Sequence, residues 1–326
     1  MPEGHSVHRI ARQFARNFVG HPLAVSSPQG RFADGAALLD GHTMIDARAV
    51  GKQMFLEFDN ELWLRVHLGL YGAWDFAGEI TTDATIRSAG GRMGQTNQRG
   101  TSLDDSAGED SINSIGAPRR ARLRMSESEK ENDDPDFVFP PEPVGAVRVR
   151  LLSESAVADL RGPTACEVLD AAAVDAIIAK LGPDPINDSS SEAEEAFVTA
   201  VRKKTTPIAL LLMDQSVVSG IGNVYRCEML FRARLNPHTP GKKVDDETAR
   251  ALWQDWVYLL QLGVATGQMM TMDDLDDEAY AKAMADRADR HFVYKREGLP
   301  CRVCGTHILM ELAASRKLYW CPNCQA

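Results

Sequence analysis

No stretch of this 326-residue chain approaches the roughly twenty consecutive apolar residues that span a bilayer. The opening Met1-Pro2-Glu3-Gly4-His5 has neither a basic segment nor an apolar one behind it, so a cytoplasmic protein with no membrane partner is expected. Cysteine is scarce, six residues in all, and aromatics make up only 7%. Positive charge is also short: the formal net charge is -10, which at first sight argues against nucleic acid, since phosphate binding needs local positive potential. What remains is an ordinary apolar fraction of 44% over a length that allows two domains.

The distribution of charge matters more than its sum. Residues 79–145 hold thirteen Asp and Glu against eight Lys and Arg, about half of the net negative charge. From Val201 to Arg234 six basic residues face two acidic ones, and from His291 to the end five face two. Those two stretches are the basic ones.

Organisation follows from periodicity. Val7 to Val19 carries Val7, Ile10, Ala11, Phe14, Ala15 and Phe18 at helical spacing. Thr43 to Phe76 reads as a strand meander, with Met54–Phe58 and Leu62–Leu68 separated by Asp59-Asn60 as a hairpin. Residues 79–143 lose periodicity and turn polar, which predicts a disordered insertion. An alternating strand follows at Ala146–Leu152, and Leu181-Gly182-Pro183-Asp184-Pro185 marks a boundary. Beyond it Ala193–Lys203, Pro207–Asp214, Val224–Arg232 and Asp246–Gly263 have helical spacing. Trp63, Trp253 and Trp256 read as core, and Tyr319 and Trp320 as packing within the C-terminal segment.

Four cysteines close the chain as Cys301-x2-Cys304 and Cys321-x2-Cys324. Paired knuckles at this separation bring four thiolates to one tetrahedral point, the pattern of a structural zinc site. Two disulfides fit the same count, but a reducing compartment favours metal. Zinc would then supply folding free energy to a ribbon whose own core is too small.

Between two predicted helices lies Gly220-Ile221-Gly222-Asn223. Such a turn can aim backbone N–H groups at an anion, although a plain glycine turn between packed helices explains it equally. Arg202-Lys203-Lys204 before it and Tyr225, Arg226, Arg232 and Arg234 after it suit a phosphate-gripping helix-turn-helix element. Pro2 is the stranger feature. Removal of Met1 leaves a secondary amine whose pKa lies near that of other α-amino groups, far below lysine. It is then a nucleophile able to attack a sugar C1′ and form an iminium, with Glu3 beside it to move protons. Many chains open Met-Pro without such chemistry.

Together these segments resemble the formamidopyrimidine-DNA glycosylase and endonuclease VIII family of base-excision repair enzymes. The resemblance rests on Met1-Pro2-Glu3-Gly4, Val50-Gly51-Lys52, His67-Leu68-Gly69-Leu70, Met213-Asp214-Gln215, Gly220 through Tyr225 to Glu228, Val293 to Gly298 and the cysteine ribbon with Arg316. It implies an α+β fold: an N-terminal β-sandwich with flanking helices over 1–180, a helix-two-turn-helix domain over 181–290 and a zinc ribbon over 291–326. It also implies a monomer acting on damaged DNA, with one structural Zn2+ held by Cys301, Cys304, Cys321 and Cys324. By the same resemblance Pro2 is the nucleophile, Glu3 the acid assisting sugar ring opening, and Lys52 a contact to the phosphate beside the lesion. Asn223 and Arg316 clamp the flanking phosphates, and Leu70, with Tyr71, wedges into the gap left by a flipped nucleotide. The alternative for Leu70 is a core strand position.

Two departures stand out. The family continues Pro-Glu-x-Pro-Glu, whereas Ser6 stands here in place of the second glutamate; His5 or His8 are the candidates to carry its proton. Asp273 to Glu278 is acidic and lacks the glycine-rich stretch of the 8-oxoguanine-reading loop, which favours the endonuclease VIII side and oxidised pyrimidines. The expected activity is therefore a bifunctional glycosylase and abasic-site lyase. The alternative is a catalytically weakened relative that senses abasic or single-stranded sites.

Overall fold

The computed structural model describes residues 2–81, 114–116, 138–273, 275–285 and 289–326. They form two compact units, Met1–Ala179 with Val264–Gly267, and Lys180–Gly263 with Gln268–Ala326.

The first unit is a sandwich of two antiparallel sheets with a helix at its edge. Helix α1 (Gly4–Asn17) starts three residues before the apolar spacing does, because the carbonyl of Glu3 already accepts the Ser6 N–H at 3.0 Å. After β1 (Ala24–Ser26) and the short α2 (Ala33–Leu39) come β2 (Met44–Val50), β3 (Gln53–Phe58), β4 (Leu62–His67) and β5 (Ala73–Gly78). The expected hairpin is β3 with β4, in which Leu56 faces Leu64. Strands β7 (Val147–Leu152), β8 (Ala156–Arg161) and β9 (Ala165–Asp170) follow a short β6 (Ser114–Gly116). The sheet orders are β2-β3-β4-β9 and β1-β7-β8-β5-β6.

Strand alternation sorts the side chains. Met54, Leu56 and Phe58 of β3 point into a core shared with Trp74 and Phe76 of the other sheet and with Val7, Ile10 and Phe14 of α1. Phe55, on the opposite face, joins Trp63 and Val174 under α3 (Ala171–Ile178), so the four-stranded sheet is covered on both sides. Each such fully buried side chain is worth about 1.5–3 kcal/mol in transfer free energy.

One expectation needs correction. The polar segment 79–143 is not wholly without structure: Ser114–Gly116 pairs with β5, Ile115 opposite Trp74, and Ile115 is buried in the core. A three-residue strand carries too little period-2 signal to show against a polar background. Most of that segment otherwise lies outside the described residues.

The second unit is helical, with α4 (Ser191–Arg202), α5 (Ile208–Leu211), α6 (Asn223–Arg232), α7 (Asp246–Thr266, its last turn grouped with the first unit) and α8 (Asp277–Ala285). Ser190 caps α4 by accepting the Ala193 N–H at 3.2 Å. The helix expected over Pro207–Asp214 shrinks to α5, because Asp214 draws the Ser216 N–H at 3.0 Å and the Ser216 hydroxyl at 2.6 Å onto its carboxylate. That Asx turn competes with further helix. Trp253 and Trp256 are core, as is Trp63 in the first unit. A two-stranded ribbon, β10 (Leu309–Ala313) with β11 (Arg316–Trp320), closes the chain.

Candidate DNA-repair site

The N-terminal site is built by two turns and the start of α1. Val50 and Gln53 end paired strands, so Gly51 and Lys52 form a two-residue hairpin loop, and Gly51 takes φ 59, the left-handed value such a turn demands at its first position. Gln53 sits opposite His67 in the β3–β4 register, which brings the loop beside the end of β4. Pro2, Val7, Lys52, His67, Leu68 and Gly69 then line one small pocket. Gly69 is required there: its φ is 66, and a Cβ on it would lie 1.8 Å from the Thr164 hydroxyl oxygen.

The one imidazole of this pocket is disfavoured in its charged form. Burial, with the charges of Lys52 and Arg65 added, holds His67 below the ordinary imidazole value. Pro2 and Glu3, at the start of α1, are both buried, Glu3 completely. Ser6 is also buried, with its hydroxyl 3.1 Å from His5 Nε2. Leu70 and Tyr71 are 42% and 48% exposed in the turn after β4. Leu70 is therefore not a core strand residue.

In the second unit the glycine turn is pinned from several sides. Gln215 accepts the Gly220 N–H at 3.1 Å and donates its amide to the carbonyls of Met213 and Ile221, each at 3.1 Å. Trp256 Nε1 donates to Ser219 O at 3.2 Å. Asn223 is thereby fixed as the first residue of α6, and its Nδ2 donates to the carbonyl of Lys317 at 2.8 Å. Lys317 follows Arg316 at the start of β11, so Asn223 and the exposed Arg316 are held one residue apart. Ala314 and Ser315, at φ 47 and 65, form the tight turn that presents Arg316.

The ribbon carries the metal site. The sulfurs of Cys301, Cys304, Cys321 and Cys324 all lie within 4.8 Å of one another. A tetrahedral ion with Zn–S bonds near 2.3 Å holds its sulfurs about 3.8 Å apart, and the Cys301–Cys324 and Cys304–Cys321 pairs stand at 3.9 and 3.5 Å. Four thiols at these separations, in a ribbon with few buried apolar side chains, fit one structural zinc. Tyr319 packs inward as expected, its ring 5.3 Å from that of Tyr294.

The basic dressing expected around the glycine turn is only partly a surface. Arg226 is fully buried. Arg232 is committed to Asp255 at 2.7 Å and to Asp273, Arg202 to Asp246 at 3.0 Å, and Lys204 to Asp214 at 3.0 Å. A count of charges along a chain does not reveal which have partners folded against them. Two residues that the sequence reading left without a site role also stand out, His67 in the N-terminal pocket and Gln215 bracing the turn, while Arg226, expected among the surface basic residues, lies behind Asn223. The spacing of Arg226 from Asn223, one helical turn, was the available signal for that contact.

Residues 1–105 match the formamidopyrimidine-DNA glycosylase N-terminal domain, 181–274 the formamidopyrimidine-DNA glycosylase H2TH domain, and 298–326 the zinc finger found in FPG and IleRS. The chain is 36% identical to Endonuclease 8 1 of Mycobacterium tuberculosis over 325 residues, covering 100% of both. It is 34% identical to the formamidopyrimidine-DNA glycosylase of Thermus thermophilus over 152 residues, 46% of this chain and 55% of that one. In fold it is similar to Lactococcus lactis Fpg in complex with DNA containing an abasic site, at a TM-score of 0.66 and 19% identity over 99% of each chain. It is likewise similar to MutM (Fpg) from Thermus thermophilus, at 0.63 and 22% over 99% of this chain and 98% of that one. No helix among the described residues is long and apolar enough to cross a membrane. With matching models at both ends and in the middle, and a relative of one-third identity along the whole length, the chain belongs to the formamidopyrimidine-DNA glycosylase/endonuclease VIII family, the DNA glycosylases that excise damaged bases in base-excision repair.

Proposed function

We propose that the protein is a bifunctional DNA glycosylase and abasic-site lyase that favours oxidised pyrimidines. The observation that carries the reading is the shared pocket of Pro2 and Lys52 at the buried start of α1. After Met1 is removed, the Pro2 nitrogen attacks C1′ of the damaged nucleotide as the base leaves. Glu3 delivers a proton to the sugar ring oxygen as the ring opens to the iminium. Lys52 holds the adjacent phosphate through its ammonium group, and β- and then δ-elimination cleave the strand. His67, held below the ordinary imidazole value, adds no second positive charge beside the cationic iminium.

Substrate handling falls to the remaining residues. Leu70, exposed on its turn, fills the stack vacated by the flipped nucleotide. Asn223 and Arg316 donate to the flanking phosphates, an amide and a guanidinium fork being good partners for phosphate oxygens. The division of labour would be a catalytic domain over 1–180, a DNA-gripping domain over 181–290 and a ribbon over 291–326, acting as a cytoplasmic monomer. The pyrimidine preference rests on the acidic, glycine-free stretch Asp273 to Glu278.

Borohydride trapping tests the reading. Processed protein is mixed with an abasic-site duplex and with an oxidised-pyrimidine duplex, then reduced. Trapping on both, abolished by Pro2→Gly and lost on the base lesion with Glu3→Gln, is the expected result. Trapping on the abasic site alone would leave only a lyase, and DNA binding without trapping would leave a sensor of damage.

A further inference from the structure

Behind Asn223 lies a guanidinium that the proposed chemistry does not use. Arg226, one turn further along α6, has no solvent exposure. Its Nη2 donates both to Asn223 Oδ1 and, at 3.2 Å, to the carbonyl of Lys317, the same carbonyl that Asn223 Nδ2 reaches at 2.8 Å. Nε and Nη1 have no hydrogen-bond partner among the described residues. Burial pushes the thiol of the adjoining Cys227 up to about 11, against the opposing charge of Arg226.

A buried cation with so few acceptors is costly to keep, so its two bonds repay attention. A guanidinium only donates. Facing one, the Asn223 amide has a single allowed orientation: Oδ1 toward Arg226 and the NH2 group away from it. One of those two N–H bonds goes to Lys317. The other is the donor left for an anion beside Arg316. Without Arg226 the oxygen loses its donor, and only the bond to Lys317 still opposes turning the amide over to present that oxygen, which would repel a phosphate.

We infer that Arg226 is a positioning residue for DNA binding: it fixes the Asn223 amide with its N–H outward and ties that amide to the main chain beside Arg316, so that the two phosphate donors are set before DNA arrives. The inference rests on the proposed roles of Asn223 and Arg316. Preorganisation of this kind lowers the ordering cost at binding. Arg226 itself touches no phosphate, and its whole effect runs through its neighbour.

A double-mutant cycle measures that dependence. Affinity for a duplex carrying a tetrahydrofuran abasic-site analogue is determined at fixed salt for the wild type, Arg226→Met, Arg226→Lys, Asn223→Ala and Asn223→Ala/Arg226→Met, each with zinc content and melting temperature recorded. Arg226→Met is expected to weaken binding about tenfold, Arg226→Lys to recover part of the loss, and Arg226→Met to change affinity less than about twofold once Asn223 is Ala. Equal losses in both backgrounds, or no loss in Arg226→Met with one zinc retained, would overturn the inference. Should the wild type itself fail to bind DNA, the glycosylase reading falls instead. The inference is then judged by the Asn223 side-chain amide in NMR: two resolved, protected protons that average and exchange faster in Arg226→Lys or Arg226→Met support it, and unchanged resonances overturn it.

Discussion

Asn223 Nδ2 and the carbonyl of Lys317 are joined by a 2.8 Å hydrogen bond across 94 residues of chain. The bond couples the glycine turn to the metal ribbon, so a substitution at Asn223 separates folding from DNA binding. Asn223→Asp keeps the shape, places a carboxylate against buried Arg226 and aims negative charge at the phosphate. The new ion pair with Arg226 offsets the lost N–H donation to Lys317, so the melting temperature is expected to change little, while affinity for abasic-site DNA falls more than about tenfold. Thermal melts and anisotropy titrations on the same preparation check both halves. A drop in both together would mean that the amide serves only the fold.

Removing zinc should undo the same coupling. The ribbon buries few large apolar side chains, mainly Leu318, Tyr319 and Ile308, too little core for independent stability. A strong chelator is expected to unfold residues 298–326 and abolish DNA binding, and Cys301→Ser to do the same. The β-sandwich, with its own core, keeps its far-ultraviolet spectrum. Hydrogen exchange resolved by segment distinguishes this local loss from global unfolding.

The ribbon tip is strained in a way that substitution can relieve. Ala314 and Ser315 both lie at positive φ, 47 and 65, where a side chain costs roughly 1–2 kcal/mol per residue. Asn-Gly is the pair such a hairpin turn prefers. Ala314→Asn with Ser315→Gly is expected to stabilise the ribbon by about 1 kcal/mol or more, seen as slower loss of zinc to a competing chelator.

His67 gives a pH signature. Its folded-state pKa is lowered by burial first and by the Lys52 and Arg65 charges second. The unfolded chain therefore takes up a proton before the folded one as pH falls. The associated stability is fully present above the unfolded value near 6.5 and declines as pH drops from there toward the lowered folded value. His67→Gln should flatten the stability profile in that window. The imidazole should titrate below pH 6.5 by NMR and move upward in Lys52→Met. A midpoint unmoved in Lys52→Met would mean that the lysine does not act on the imidazole.

Much of this was legible before folding was considered, and the exceptions share a cause. The cysteine knuckles, the α1 stripe and the β3–β4 hairpin declare themselves through spacing, because metal geometry and the two backbone periods are local rules. The strand at Ser114–Gly116 was hidden because three residues hold no period, and its burial depends on Trp74 opposite Ile115. The basic residues around Gly220 misled for a related reason: whether Arg226 and Arg232 face solvent is decided by Asn223, Asp255 and Asp273, which fold against them. Pocket partners such as His67 emerge only when the strand register places a loop beside them.

Glu228 supplies the converse pH test. It is fully buried, and its Oε1 accepts the Val293 and Tyr294 N–H groups, each at 2.8 Å, while Oε2 lies 2.7 Å from both the Phe292 nitrogen and the Thr271 hydroxyl. The Thr271 oxygen also lies 2.9 Å from the carbonyl of Arg290, and a hydroxyl has one proton to give. If that proton goes to Arg290, the bond to Glu228 is completed by a proton on the carboxyl group, in keeping with burial pushing Glu228 above the ordinary carboxylate range even against these donors. A carboxyl group whose pKa is raised on folding binds its proton more tightly in the folded chain. Its contribution is present at low pH and is lost as pH rises from the unfolded value through the raised folded one. Glu228→Gln places an N–H donor where the acid proton stood. It should cost about 1–3 kcal/mol for the acceptor lost to Phe292, and should remove the fall in stability with rising pH that the wild type shows above pH 4.5. Urea melts at pH 5 and pH 8 decide the matter: a Glu228→Gln penalty smaller at pH 8 than at pH 5 marks a neutral acid that must ionise, and an equal penalty at both marks a carboxylate held by its donors throughout.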